Sequence, residues 1–343
     1  MSAGYEALAT KARAMYGRRL HAADLERISR METIGAVLAE LRQSPAWAPA
    51  AQALPEDQVL TRARLEDALR SQVRQEELRL MAFVPQGDRA LMNFPVLRAE
   101  LEQILAALRR LHASMSKELE KLPRKYLDKA RVDLEGLHRC TDFNALVEAT
   151  RGSIYYATLD RLRGGETMPD YGVTEALLWS VYYRYMLRLI RRQYDGGTRR
   201  LLEQSVGSQV DMLNIMHILR LKRYFPQEDN FLPVLLPYHY KVRPAQIRAM
   251  CDAPDPQAVM ELVEHTPYAA AFRGVAPEDL QNRYESVLYR LSRQQLRMGK
   301  PSVYTAVAYL NLREVELRAL VSAVEASKYR QSLNPSLLQI LAD

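Results

Sequence analysis

The chain has 343 residues, only 14 of them glycine, and a formal charge of +7. Few glycines beside many Ala, Leu, Arg and Glu residues favour helix, and no series of alternating strands stands out, so the expected fold class is all-α. The modest positive charge only hints at acidic partners; no apolar run approaches the ~20 residues needed to span a bilayer, and Glu6, Lys11 and Arg13 leave no apolar signal core near the N-terminus, which points away from export.

In chain order, Ser2 to Tyr16 reads as a first helix with Tyr5, Leu8, Ala12 and Met15 on one side, and Leu20 to Met31 as a second. Pro49 and Pro55 read as the bounds of a linker. A long helix follows from about Leu60 to Val84 and is broken by Pro85-Gln-Gly-Asp88. The next begins near Pro95, with Leu97, Leu101, Ile104, Leu108 and Leu111 at helical spacing. Leu119 to Leu137 is polar and amphipathic. Arg163 to Asp170 reads as a loop. Thr174 is then placed to cap a helix reaching Tyr194, with Leu178, Tyr182, Tyr185 and Leu189 on one face and Arg184, Arg188 and Arg191 on the other. Asp195-Gly-Gly197 is expected to end it. Val210 to Tyr224 is apolar almost all round and should be deeply enclosed. A proline-rich loop, a short helix from Pro244 to Met250, and helices over about Glu278–Met298 and Ser302–Tyr329 complete the chain.

One stretch recurs. Ala36 to Ala48 returns about 109 residues later as Ala145 to Ala157 and about 113 further on as Ala258 to Ala270. Each copy opens on Ala followed by two aliphatic residues: Val37-Leu38, Leu146-Val147, Val259-Met260. Each then reaches a hydroxyl residue, Ser44, Ser153 or Thr266, which is expected to end one helix and cap the next. Aromatic residues follow: Trp47, Tyr155 and Tyr156, Tyr268. The element before the first copy aligns with that before the third, Leu25 with Ile247 and Ile28 with Met250.

No catalytic constellation emerges. Gly164-Gly165 and Gly196-Gly197 lack the Gly-Lys-Ser/Thr of a phosphate loop, and Met298-Gly-Lys-Pro-Ser302 reads as a turn. The six histidines show no i,i+4 pair with a carboxylate between them, so neither a metal site nor a cofactor site is expected. Cys140 and Cys251 lie far apart and are expected to be reduced, buried and unpaired, which suits a cytosolic protein. The row Arg184, Arg188, Arg191 reads as a solvated face. Within Val210–Tyr224, the polar residues Asp211, Asn214, Arg220 and Lys222 need partners or a wet cavity. Two readings stay open for them: an internal hydrogen-bonded network, or a surface for a partner.

Three motifs resemble one known family, the C-type (also called d-type) subunits of the V/A-type rotary ATPases. Tyr5-Glu-Ala-Leu-Ala-Thr-Lys-Ala-Arg-Ala-Met15 is similar to its opening helix, with Arg13-Ala-Met15 at the centre. Asp211-x-x-Asn214-Ile215 followed by Leu219-Arg220-x-Lys222 resembles its central helix. Glu314-Val-Glu316-Leu-Arg318 resembles its closing one. Two departures stand beside these: the helix after Phe94 lacks the Asn and Lys of the Asp211–Lys222 pattern, and Leu178-Trp179-Ser180 lacks an acidic residue. The resemblance implies three similar helical units arranged as a funnel with pseudo-threefold symmetry, divided as residues 1–115, 116–207 and 208–343. It implies a non-catalytic rotor component, peripheral on the cytoplasmic face of the membrane. Such a component would seat on the proteolipid ring and take the end of the central stalk in its mouth, with no nucleotide site and no nucleic acid. Arg13, Asp211, Asn214, Arg220, Lys222, Glu316 and Arg318 are then expected around the opening, unless they form the internal network. The alternative class is a basic helical scaffold or adaptor that binds RNA.

Overall fold

The computed structural model describes residues 3–54, 60–113, 122, 124–163, 168–225 and 230–329. These residues form helices and connecting turns, with no strand among them. In chain order the helices are α1 (Ala3–Tyr16), α2 (Ala22–Ser29), α3 (Ile34–Gln43), α4 (Ala48–Gln52), α5 (Arg62–Met81), α6 (Arg89–Met92), α7 (Phe94–Ala113), α8 (Arg124–Leu127) and α9 (Leu134–Arg139). There follow α10 (Phe143–Ala149), α11 (Tyr156–Asp160), α12 (Tyr171–Gln193), α13 (Gly196–Tyr224), α14 (Pro244–Asp252), α15 (Pro256–Val263), α16 (Ala269–Phe272), α17 (Leu280–Met298) and α18 (Val303–Tyr329).

The chain divides into two compact units. One contains Met1–Met92 and Asn282–Asp343, the other Asn93–Gln281. In the first, α18 is the organising element and packs against α1, α2 and α5. It is buried on nearly every side, and alanines at 306, 308, 319, 323 and 326 keep it slim. Small side chains let neighbouring helix axes approach closely, and their burial removes apolar area from water at about 25 cal/mol per Å². In the second unit, α12 packs against both α7 and α13. Its inner face is Leu178, Val181, Tyr182, Tyr183, Met186 and Ile190, while Arg184, Arg188 and Arg191 lie exposed on the outside.

The recurring sequence stretch has a recurring structure. The helices α2–α3–α4, α9–α10–α11 and α14–α15–α16 are three trios of one design. The middle helix of each is capped by a side chain three residues before its bonded amide: Thr33 Oγ1 accepts from Ala36 N at 3.1 Å, Asp142 from Ala145 N at 2.8 Å, and Asp255 from Ala258 N at 2.8 Å. The alanine that opens each copy is thus the residue whose amide the cap satisfies. The aliphatic pair after it is buried in all three trios. The preceding helices bury Leu25 and Ile28, and Ile247 and Met250, in matching places.

Several boundaries differ from the sequence reading, each for a local reason. The hydroxyl residues do not cap the third helices, which begin after Trp47, Tyr155 and Tyr268 without a side-chain cap. Two of them shape the turn instead: Ser153 Oγ accepts from Tyr155 N at 3.2 Å, and Thr266 Oγ1 accepts from Tyr268 N at 3.2 Å, whereas Ser44 Oγ is buried without a hydrogen-bond partner. Pro49 lies in the first turn of α4, where its missing N–H is harmless, so it opens a helix where a linker was expected. Asp170, not Thr174, caps α12, and Thr174 is a buried residue within it. α12 ends at Gln193 as the sequence reading expects, but Gly196 and Gly197 then start α13 at once in place of forming a loop; Gly196 has φ +50°, the left-handed conformation that permits the sharp entry. As a result α13 is 29 residues long, and its enclosed part ends at Leu219, with Arg220 and the residues from Arg223 to Phe225 exposed and Leu213 only partly covered. The amphipathic reading of Leu119–Leu137 falls partly outside the described residues.

Candidate functional site

The residues singled out in the sequence divide between the two units. In the first, Arg13 donates to the carbonyls of Leu296 at 2.8 Å and Gly299 at 3.2 Å, which places a cation on the C-terminal end of α17. Arg318 of α18 pairs with the buried Glu285 of α17 at 3.3 Å. Glu316 is buried and turned inward. In the second unit, Asp211 and Asn214 are both buried on α13. Asn214 Oδ1 accepts from Leu236 N at 2.8 Å, and its amide nitrogen donates to the Leu236 and Tyr238 carbonyls at 3.0 and 3.4 Å. Arg220 is exposed and reaches Gln281 Oε1 at 3.3 Å. Lys222 sits 4.8 Å from the centre of the Phe231 ring. Asp211, Asn214 and Glu316 therefore have their polar atoms engaged within the protein, whereas Arg220 remains open to solvent.

A relationship not visible in the sequence links the trios to the long helices. Each trio is entered through a loop whose amides are held by a buried carboxylate on a long helix. Glu316 of α18 accepts from Leu20 N at 2.8 Å, just before α2. Glu100 of α7 accepts from Arg131 N, and from Val132 N at 3.3 Å, just before α9. Asp211 of α13 accepts from Tyr240 N, Lys241 N and Val242 N at 2.8, 2.7 and 3.2 Å, just before α14. Loop amides removed from water need acceptors, and a carboxylate makes stronger hydrogen bonds than a carbonyl does.

The aromatic residue at the head of each third helix completes the pattern. Trp47 Nε1 donates to Glu316 Oε1 at 3.0 Å, and the Tyr268 hydroxyl donates to Asp211 Oδ2 at 2.9 Å. In the remaining trio the Tyr155 hydroxyl goes to the Leu97 carbonyl at 2.7 Å, leaving Glu100 Oε2 buried without a hydrogen-bond partner. Burial accordingly pushes the Glu100 carboxyl above its ordinary range, against the pull of the Arg131 and Val132 amides. It likewise drives His217 of α13 down, with the Arg220 charge acting in the same direction.

Glu316 belongs to a larger buried cluster in the first unit. Arg313 pairs with Glu316 at 2.9 Å and with Glu76 of α5 at 2.8 Å, and its guanidinium lies 3.7 Å from the centre of the Trp47 ring. Tyr309 donates to Glu76 at 2.7 Å. Burial alone would lower the Arg313 pKa, but the Glu316 and Glu76 carboxylates outweigh it and hold the guanidinium charged. Two carboxylates around one arginine are sustained by these added donors, since an unpaired buried charge would cost several kcal/mol. Sequence reasoning singled out Glu316 but missed Glu76, Glu100 and Arg313. The available signal was a carboxylate followed three residues on by an amide on an apolar helix face, as at Glu100 and Gln103 of α7, which stand at the spacing of Asp211 and Asn214.

These arrangements tie side chains to loop backbone and to one another. Among the described residues no group of three or more His, Cys, Asp and Glu side chains could hold a metal ion, and no helix is long and apolar enough to cross a membrane. Cys140 and Cys251 are free and buried.

Comparison with known proteins gives a match along most of the chain. The model of the ATP synthase (C/AC39) subunit family matches residues 8–334. The C-type subunit of the A-type ATP synthase of Methanosphaera stadtmanae is 23% identical over 202 residues, covering 55% of this chain and 51% of the relative. The protein of the same name from Methanobrevibacter smithii is 23% identical over 222 residues, 61% of this chain and 56% of the relative. That from Methanothermobacter thermautotrophicus is 24% identical over 196 residues, 54% and 51% respectively. The chain thus spans about half the length of the curated relatives it matches.

Proposed function

The chain belongs to the ATP synthase (C/AC39) subunit family, and from that premise we propose that it is a non-catalytic central-rotor component of a V/A-type ATPase. It couples the central stalk to the membrane proteolipid ring during ATP-linked proton or sodium transport, and it sits at the cytoplasmic face of the membrane. The three-unit division and the funnel form are part of the same proposal. The observation that carries it is the family match across residues 8–334.

The clamped trios support the reading physically. A part that passes torque has to resist local yielding, and its loops are its softest elements. Here the loops entering the trios are held by buried carboxylates, so each trio is fastened to a long helix by directed bonds as well as by apolar packing. Within this proposal Asp211, Asn214 and Glu316 are the internal fastening, Arg13 and Arg318 fix α17, and Arg220 and Lys222 face a partner.

The test is co-expression with the central-stalk proteins and the proteolipid ring of the same organism, followed by affinity capture through this chain. Both partners should be recovered in fixed ratio. Replacing Arg220 and Lys222 together with Ala should lower stalk capture about tenfold, equivalent to ~1.4 kcal/mol, with little change in the melting temperature of the isolated chain. Normal capture by that variant would remove Arg220 and Lys222 from the contact. Failure of the parent chain to capture either partner would overturn the function itself.

A further inference from the structure

Four arginines elsewhere in this chain pair with a carboxylate four residues away. Arg30 pairs with Glu26, Arg62 with Glu66, Arg98 with Glu102 and Arg199 with Glu203, each one turn apart. The outer face of α12 carries a row of arginines instead. Arg184, Arg188 and Arg192 are exposed at successive one-turn intervals, and none of them has an ion-pair partner among the described residues. The nearby Glu203 of α13 is already shared by Arg191, at 3.2 Å, and Arg199, at 3.1 Å.

Like charges one turn apart destabilise a helix. Packing of the opposite face holds α12 in place: Tyr182, Tyr183, Met186 and Ile190 are all buried. The outer row is therefore presented on a fixed rod, with charges about 6 Å apart along the axis. Its residues are all arginine, whose planar fork matches carboxylates in bidentate fashion. The row carries no exposed aromatic ring, and the one exposed large apolar side chain of α12 is Leu177. Stacking on bases and insertion at a bilayer interface both draw on such rings.

We propose that Arg184, Arg188 and Arg192 are the positive half of an interhelical ion-pair seam, and that the occupant is an acidic helix of a partner protein carrying Asp or Glu at i, i+4 and i+8. A helix of that pattern repeats its charges at the spacing of the row, so all three pairs form in one register.

The experiment uses the full chain and a fluorescent helical peptide with Glu at every fourth position. Its control is an isomer of equal composition with the Glu residues at every second position. Anionic phosphatidylglycerol vesicles and single-stranded RNA are run in parallel. The matched peptide should bind at least ten times more tightly than the isomer. The R184A/R188A/R192A variant should lose that preference and melt no lower than the parent. The R184E/R188E/R192E variant should instead select the matched peptide with Lys in place of Glu, which a damaged protein would not do. Equal binding of the two isomers, a preference that survives in the alanine variant, or failure of the charge swap overturns the seam. Tighter retention on vesicles or RNA than on the matched peptide overturns the choice of partner.

Discussion

The Tyr268 hydroxyl donates to Asp211 Oδ2 at 2.9 Å across 57 residues of chain. That bond ties the last short helix of a trio to the long helix α13, on the same carboxylate that holds the Tyr240, Lys241 and Val242 amides. Asp211 is therefore the point on which one whole trio is fastened. Replacing Asp211 with Asn turns an amide group toward backbone donors and removes the charge. Urea unfolding should show a loss of about 2–4 kcal/mol, whereas Tyr268→Phe should cost about 1 kcal/mol. An unchanged unfolding midpoint for Asp211→Asn would show that the fastening does not contribute to stability.

The equivalent bond in the first unit joins Trp47 and Glu316, at 3.0 Å and buried. A double-mutant cycle with Trp47→Phe and Glu316→Gln should return a coupling of about 1–2 kcal/mol, since the indole N–H meets a charged acceptor. Simple additivity of the two single changes would mean that Leu20 N and Arg313 satisfy Glu316 without the indole.

Glu100 should make stability depend on pH in the opposite sense to a salt-bridged carboxylate. Burial raises its pKa above the ordinary 4.5, so the folded state holds this proton more tightly than the unfolded chain does. The stability it contributes is full below 4.5 and is lost as pH rises through the folded-state value. Glu100→Gln keeps an acceptor for the Arg131 and Val132 amides and never ionises. Its melting temperature should gain on that of the parent as pH rises from 4.5 towards neutrality. Parallel melting curves across that range would contradict the assignment.

Gly207 lies inside α13, where Ala would ordinarily stabilise the helix by about 1 kcal/mol. Here a Cβ would stand 2.5 Å from Cγ of Tyr240 and 2.7 Å from its Cβ. Gly207→Ala should therefore destabilise, by about 1–3 kcal/mol. In a Tyr240→Ala background the sign should reverse, because the obstruction is gone. Thermal melting of the four proteins decides it, and destabilisation of equal size in both backgrounds would point to another cause.

Much of the fold was legible because the signals are local. The spacing of Leu97, Leu101, Ile104 and Leu108 predicts a helix with a buried stripe, and those residues are buried in α7. The three Ala-aliphatic-aliphatic copies fall on α3, α10 and α15, each with its own cap and buried pair. Where the reading slipped, two local signals competed. A Gly-Gly pair serves as well to start a helix as to end one, and Asp170 and Thr174 are both respectable caps. Only the course of the neighbouring chain selects between them.

The amino-acid sequence by itself determined the helical class, the threefold recurrence of a capped short helix, and the oddity of charged residues on apolar helices. Each of these depends on residues within a few turns of one another. What the tertiary structure decided was where those charges go. Glu316 meets Leu20 and Trp47, 296 and 269 residues away, and Glu100 meets Val132, 32 residues away. A buried carboxylate is tolerated only where donors converge on it, and that convergence is set by how the long helices pack. Periodicity places Glu100, Asp211 and Glu316 on their helices; packing brings the loop amides that make them clamps.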